Sequence, residues 1–184
     1  MNKIFIISGP SGVGKGTLVK ALVKNKDLNL EWGKTATTRE QRDDDKEGSK
    51  RIFLSKQEFV NKIKAGELAE KNFYGGHYYG TLKSEIEKSK SNLVFEIDIN
   101  GGLNLKKLYP KKTVLIFITA PLSDIKRRLQ ERKTNTPEEI KERLEIAQAE
   151  LTKAKNYDYQ VENPQGHPEK AIEKLEKIIT ATGN

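Results

Sequence analysis

Short apolar runs bounded by turn residues alternate along the chain with stretches of helical period. That alternation predicts βαβ units around a mainly parallel sheet. Residues 3–8 read as a first buried strand, 15–26 as a helix, and 93–98 and 113–119 as further buried strands. Between that helix and residue 93 the pattern shortens. Alternating pieces at 31–37 and 51–54 precede a helix opened by a capping box, Ser55 with Glu58, and closed near Gly66. A strand-like piece at 67–74, a Gly75-Gly76 turn and a helix over 82–89 follow, so this stretch reads as a small mixed α+β insert. The helical layer resumes at 124–132 and breaks at 133–136. A long helix then starts with Thr136 as cap, Pro137 at its first position and Glu139 three residues after the cap. A short strand at 159–162 and a terminal helix from Pro168 complete the pattern.

Length and composition narrow the classes. A chain of 184 residues suffices for one core. Its longest apolar run, residues 114–118, falls far short of the roughly 18 residues of a membrane span, and residues 4–7 are too short for a signal-peptide core. A soluble, cytoplasmic protein is expected. There is no cysteine, and the two histidines, His77 and His167, lie far apart, which argues against a zinc enzyme.

The formal net charge of +8 suits nucleic acid, small anions or a merely Lys-rich surface. Arginine is more informative, because its planar fork matches phosphate whereas lysine is a flexible point charge. All seven arginines fall in two segments, Arg39, Arg42 and Arg51, then Arg127, Arg128, Arg132 and Arg143. Two confined clusters suggest two oxyanion-binding places, with ordinary surface salt bridges as the bland alternative.

Residues 9–17, GPSGVGKGT, contain the G-x-x-x-x-G-K core of a phosphate-binding loop. In so Lys-rich a chain that spacing arises by chance in roughly one case in ten. Context gives it weight: the segment follows a buried strand and opens a helix, so backbone N–H groups and the helix dipole converge on one anion site. Ser11, Gly12, Val13, Gly14, Lys15, Gly16 and Thr17 are the candidate triphosphate-binding residues, with Lys15 reaching the terminal oxygens. Gly16 stands where a Ser or Thr usually ligates magnesium, and the hydroxyl comes one position later at Thr17. Direct and water-mediated holding of Mg²⁺ both remain open.

Residues 35–42, TATTREQR, set Arg39 and Arg42 three positions apart, able to grip one phosphate from adjacent directions. Together with the loop this points to two phosphate-bearing ligands. Here the sequence resembles the guanylate kinases over essentially its whole length. The resemblance rests on GPSGVGKGT, on TATTREQR against S/T-x-T-T-R-x-x-R, and on GELAEKNFYGGHYYGT against a Glu followed by Gly-x-Tyr-Tyr-Gly-Ser/Thr. FEIDINGG against I-D-x-x-G, RRLQER with a later KERL, and YDYQVEN continue it.

What the resemblance implies is an α/β, P-loop NTPase-like three-layer fold with a mainly parallel central sheet, a GMP-binding insert over 33–82 and a helical lid over 126–145. The core would be 1–32, 83–125 and 146–184 of a single domain. It further implies transfer of the γ-phosphoryl group of ATP to GMP, or its deoxy form, with Mg²⁺. Arg39, Arg42 and Tyr79 would hold the GMP phosphate, with Asp45 steadying the arginines. Glu70 would accept from guanine N1–H and the 2-amino group, while Thr35 and Thr81 would serve the base's other polar atoms. Asp98 would sit by GMP and, with Thr17, order the metal shell; its plainer reading is a cap on the Asn100 turn. Where the pattern commonly has a second phosphate-binding tyrosine the chain has Arg51, which either adds a third fork or points to solvent. Lys15, Arg39, Arg128, Arg132 and Arg143 would supply catalytic charge, Arg132 and Asn163 would line the ATP side, and Arg127 has no implied role.

Two other functions compete: a non-catalytic module of the same shape, which would typically lack an intact loop, and a kinase for another nucleoside monophosphate. A nucleic-acid binder finds no recognition-helix or aromatic basic-strand signature, and no membrane partner is expected.

Overall fold

The structure, a computed structural model, describes residues 2–41, 45, 50–131 and 136–183. Among the described residues nine strands form two sheets. The larger is all parallel, in the order β2-β7-β1-β8-β9, where β1 is Ile4–Ser8, β2 Leu30–Trp32, β7 Asn92–Glu96, β8 Thr113–Thr119 and β9 Tyr159–Glu162. β1 is central and buried throughout, as its unbroken apolar run requires of a strand covered on both faces.

Alternate β1 residues feed two cores. Phe5 and Ile7 pack with Leu18, Val19 and Leu22 of α1 (Lys15–Leu22) and with Leu175 and Ile179 of the C-terminal helix Pro168–Gly183. Ile4 and Ile6 pack on the other side with Phe95, Phe117, Tyr157 and Leu105. Leu105 belongs to Ile99–Leu108, a helix the apolar pattern does not predict. The Asn100-Gly101-Gly102 run reads as a turn, yet it forms the helix's first turn because the glycines meet close neighbours. A β-carbon on Gly102 would stand 2.9 Å from Ile6 Cγ2. Apolar burial on both faces makes the three-layer arrangement.

The smaller sheet runs β4-β3-β6-β5, with β3 Thr35–Thr37, β4 Arg51–Phe53, β5 Leu68–Tyr74 and β6 His77–Leu82. Only β3 and β4 pair parallel. Helix α2, Lys56–Lys64, carries the expected capping box and backs this sheet, stacking Phe59 on Tyr78 at 5.3 Å. The helix Lys83–Glu87, α3, then leads back to β7.

The alternating piece expected over 31–37 is split between the sheets at Gly33. Its N–H still donates to Val94 O of β7 at 2.9 Å, but a β-carbon there would lie 2.2 Å from the Phe95 ring. No side chain fits, so the chain leaves one sheet for the other at this glycine. The expected helix at 15–26 likewise ends at Leu22; Asn25 then accepts from Asp27 N–H and starts a separate 3₁₀ turn, Lys26–Leu28. Numbering α4 as Ile99–Leu108, the remaining helices are α5, Leu122–Glu131, α6, Pro137–Leu151, and α7, Pro168–Gly183. Among the described residues no helix is long and apolar enough to cross a membrane.

Candidate active site

The phosphate loop joins the C-terminal end of β1 to the first turn of α1, where unpaired N–H groups gather. Gly14 has φ 95°, open to glycine, and a β-carbon on it would press to 2.5 Å from Asn163 Nδ2. Asn163 is there because its Nδ2 donates to Val13 O at 2.8 Å, behind the loop.

Arg128 of α5 completes the same buttress. Its Nη1 donates to Val13 O at 3.0 Å, its Nη2 to Asn163 O at 2.8 Å and its Nε to Gln165 Oε1 at 2.7 Å. Val13 therefore anchors the loop through its carbonyl, with its side chain buried in the core. Lys15 folds over the loop and donates to Gly9 O at 2.7 Å and Pro10 O at 2.9 Å. From α6, Arg143 reaches the front of the loop and donates to Ser11 Oγ at 3.2 Å.

Ser11, Gly12, Gly14, Lys15, Gly16 and Thr17 form one wall of a cleft of about 310 Å³. Facing them stand Thr35, Arg39, Asp45 and Arg51, with Glu96 also lining the cleft. A wider groove of about 710 Å³ between α5 and α6 is lined by Leu122, Pro137, Ile140 and Leu144, with Lys126, Lys141 and Glu145 also lining it, and contains no residue of the phosphate-loop motif.

The second wall is the β4-β3-β6-β5 sheet. Residues directly opposite on paired strands share a face. Arg51 pairs with Thr35, Thr35 with Thr81 and Thr81 with Glu70, so one row across four strands reads Arg51, Thr35, Thr81, Glu70. The next row holds Phe53, Thr37, Tyr79 and Asn72. A β-bulge between Leu68 and Glu70 makes the first row possible. In regular register Ala69 would oppose Thr81, and Glu70 would join the Gly80 face that Phe59 covers.

The two ends of the row differ in chemistry. At one end Arg39 is 9% exposed and makes a two-pronged ion pair with Asp45, Nη1 to Oδ2 at 2.7 Å and Nη2 to Oδ1 at 3.0 Å. At the other end Glu70 is 5% exposed and takes a hydrogen bond from Thr81 Oγ1 at 2.8 Å on Oε1, while its buried Oε2 has no hydrogen-bond partner among the described residues. Oε2 lies against Gly101, where a β-carbon would come within 2.8 Å, so this glycine permits the approach of the sheet to α4. Burial pushes the Glu70 carboxyl up to about 7, the Thr81 hydroxyl opposes this, and the Asp98 charge adds to it. An unpartnered, half-ionised carboxylate in a buried position is an acceptor awaiting donors.

Asp98 lies beyond the end of β7 and caps α4, its Oδ1 accepting from Asn100 N–H at 2.9 Å and Gly101 N–H at 3.0 Å. Arg42 and Arg132 lie outside the described residues. Glu96 is the acidic cleft residue that the sequence reading passes over, as it does Lys20, Trp32 and Lys50. It ends β7 beside β1, and its Oε2 is 3.3 Å from where a Gly16 side chain would begin. The signal was an acid following the apolar run Leu93-Val94-Phe95, two residues before Asp98.

A family model described as guanylate kinase matches residues 1–182. Among curated relatives, a guanylate kinase of Mycoplasma genitalium is 42% identical over 181 residues, covering 96% of this chain and 75% of the relative. One of Porphyromonas gingivalis is 39% identical over 168 residues, covering 89% of both. The crystal structure of guanylate kinase from Anaplasma phagocytophilum superposes with a TM-score of 0.79 at 25% identity, over 99% of this chain and 86% of the other.

Proposed function

The chain belongs to the guanylate kinase family, a family of enzymes, and from that premise we propose how its two walls divide the reaction. ATP lies along the phosphate loop and GMP along the second sheet, and the γ-phosphoryl group passes across the cleft to give ADP and GDP. The reading places the work in the cytoplasm, beside the nucleotide pool.

The observation that carries it is the polarity of the sheet row. Four strands spaced about 4.8 Å apart put its ends roughly 14 Å from each other. A cationic end built of Arg39 and Arg51 and an anionic end built of Glu70 then receive the phosphate and the base of one nucleotide. Guanine offers two donors on one edge, N1–H and the 2-amino group, where adenine has none to match. Glu70 accepts from both and gains the partner its Oε2 lacks. Thr81 holds that carboxylate, Thr35 serves a neighbouring base atom, and Tyr79 supports the acceptor from the adjacent row. Asp45 steadies Arg39, and Arg42 joins it at the acceptor phosphate.

Little covalent help is needed. The acceptor phosphate has a second pKa near ~6, so it is mostly dianionic at neutral pH and requires no general base. Positioning and charge do the rest. Lys15 swings from the Gly9 and Pro10 carbonyls to the β and γ oxygens, the loop's backbone N–H groups meet them, and Arg143 approaches from the side of Ser11. Arg128 acts as a positioning residue that fixes the loop through Val13, with Asn163 beside it on the adenine side and Arg132 over ATP.

Mg²⁺ fits the donor set. Such an ion keeps its waters and leans on substrate phosphates, so it needs few protein oxygens. Thr17 and Glu96, both lining the cleft next to Gly16, would hold it, with Asp98 acting through water. When bound it neutralises charge on the β and γ phosphates.

The direct test is ADP release with ATP and Mg²⁺ and, in turn, GMP, dGMP, AMP, UMP and dTMP. Strong turnover is expected with the guanine acceptors and little with the other three. Equal rates with all five would remove the guanine assignment.

A further inference from the structure

The two arginines at the cationic end are held very differently. Arg39 is locked on Asp45 at hydrogen-bonding distance from both nitrogens. Arg51 also faces Asp45, but its Nε is 3.6 Å from Oδ1, and its Nη2 is 3.8 Å from Glu96 Oε1. Both separations exceed a hydrogen bond, so neither contact fixes the fork. Its side chain is 23% exposed and lines the cleft.

The contact with Glu96 also crosses the molecule. Arg51 starts β4 in the second sheet, whereas Glu96 ends β7 in the parallel sheet and stands against Gly16 of the loop. One cation is thus shared between an acid on the acceptor wall and an acid on the donor wall. A dianionic phosphate arriving beside Arg39 offers Arg51 a partner of higher charge and matching fork geometry.

We propose that Arg51 is a positioning residue for which Glu96 and the acceptor's phosphate compete, so that acceptor binding takes Arg51 from Glu96 and leaves that carboxylate facing the phosphate loop. This rests on the second sheet being the GMP site. It adds that the two walls are coupled through a single ion pair: an occupied acceptor site changes the charge beside Gly16 before the donor is complete. Arg39 is tied to Asp45 within its own wall, and Arg128 is tied behind the loop.

The test is calorimetric titration of GMP, without ATP or metal, into wild type, Glu96→Gln, Arg51→Gln and the double variant, with guanosine as a phosphate-free control. Glu96→Gln keeps the shape and removes the competitor, so GMP should bind about two- to fivefold more tightly, the range of a half-exposed ion pair. Arg51→Gln should weaken GMP roughly tenfold or more, as loss of a charged hydrogen bond does. In the Arg51→Gln background the Glu96→Gln gain should vanish, and guanosine should bind equally to wild type and Glu96→Gln. Thermal midpoints measured alongside report that each variant is folded, and Arg51→Lys, which keeps the charge but not the fork, should fall between wild type and Arg51→Gln. A gain that is absent, equally large without Arg51, or shared by guanosine would overturn the competition while leaving the GMP site standing. Wild-type protein that takes up no GMP would overturn both.

Discussion

On the proposed reading, the two walls of the cleft would bind anions by opposite means. The loop is made of backbone: its glycines, the N-terminus of α1 and one lysine sit in nine consecutive residues, and its stiffening comes from behind, where Asn163 and Arg128 hold the Val13 carbonyl. The acceptor wall is made of side chains from four strands and keeps charges buried, Arg39 with Asp45 at one end and Glu70 at the other. A backbone cradle is indifferent to which nucleotide brings the phosphate. A buried carboxylate is not, because it must find donors or suffer the cost of standing unpaired. Both walls should therefore grip phosphate, while the choice of base belongs to the second.

Lys15→Met gives the largest separation of the two. It should lower kcat by about 10²- to 10³-fold, the usual cost of removing one preorganised charge from a transition state. GMP affinity, measured by titration, should stay within about twofold of wild type. A large loss of GMP binding would show that Lys15 supports the acceptor in the ground state as well as the donor.

Glu70→Gln works from the other side. The amide presents an NH₂ or a weaker oxygen to guanine's donors, so kcat/KM for GMP should fall about 10²-fold, while ATP-analogue binding should hold steady. Steady-state kinetics with GMP and AMP make the check, and an unchanged preference between them would take Glu70 out of base recognition.

The seam between the walls can be strained without touching either. Gly33→Ala would drive a methyl group into the Phe95 ring, where the available distance is 2.2 Å. Overpacking of this kind costs typically about 1–3 kcal/mol. Chemical denaturation should record that loss, and Phe95→Leu should recover part of it. A neutral Gly33→Ala would mean the chain can cross between sheets elsewhere.

How much of this was legible from sequence follows the same division. The loop is contiguous, so its motif, its strand and its helix could be read together, and the strands at 113–119 and 159–162 were placed to the residue. Capping chemistry is equally local, and both capping boxes form as their residues indicate. The split of 31–37 at Gly33 was not legible, because it depends on Phe95, some sixty positions away in sequence. Nor was the bulge that turns Glu70 toward Thr81, since strand register is decided by a partner strand and one residue of slip reverses every face. Helix α4 was missed for a related reason: Gly101 and Gly102 look like a turn until Glu70 and Ile6 are seen to need the space. Glu96 needed the neighbouring strand β1 before its acid could be placed beside the loop.

The most gradual of the expected effects tests the acceptor wall in its free state. Burial lifts the Glu70 carboxyl from 4.5 to about 7, so near pH 6 most free molecules carry it protonated. A protonated oxygen presents its own donor to guanine's donors, and the proton must leave before the base is gripped. The association constant of guanosine should therefore rise with pH by up to about tenfold per unit below pH 7 and level off above it. Guanosine is the right ligand because the GMP phosphate titrates near ~6 in the same direction. Folding should show the opposite slope. Between roughly 4.5 and 7 the folded chain holds more protons at this site than the unfolded chain, so its contribution to stability is full at low pH and is lost as pH rises, on the order of 3 kcal/mol across the window. Glu70→Gln should abolish both slopes together. If the variant keeps the guanosine profile, the titrating group lies elsewhere and the base is not read by this carboxylate.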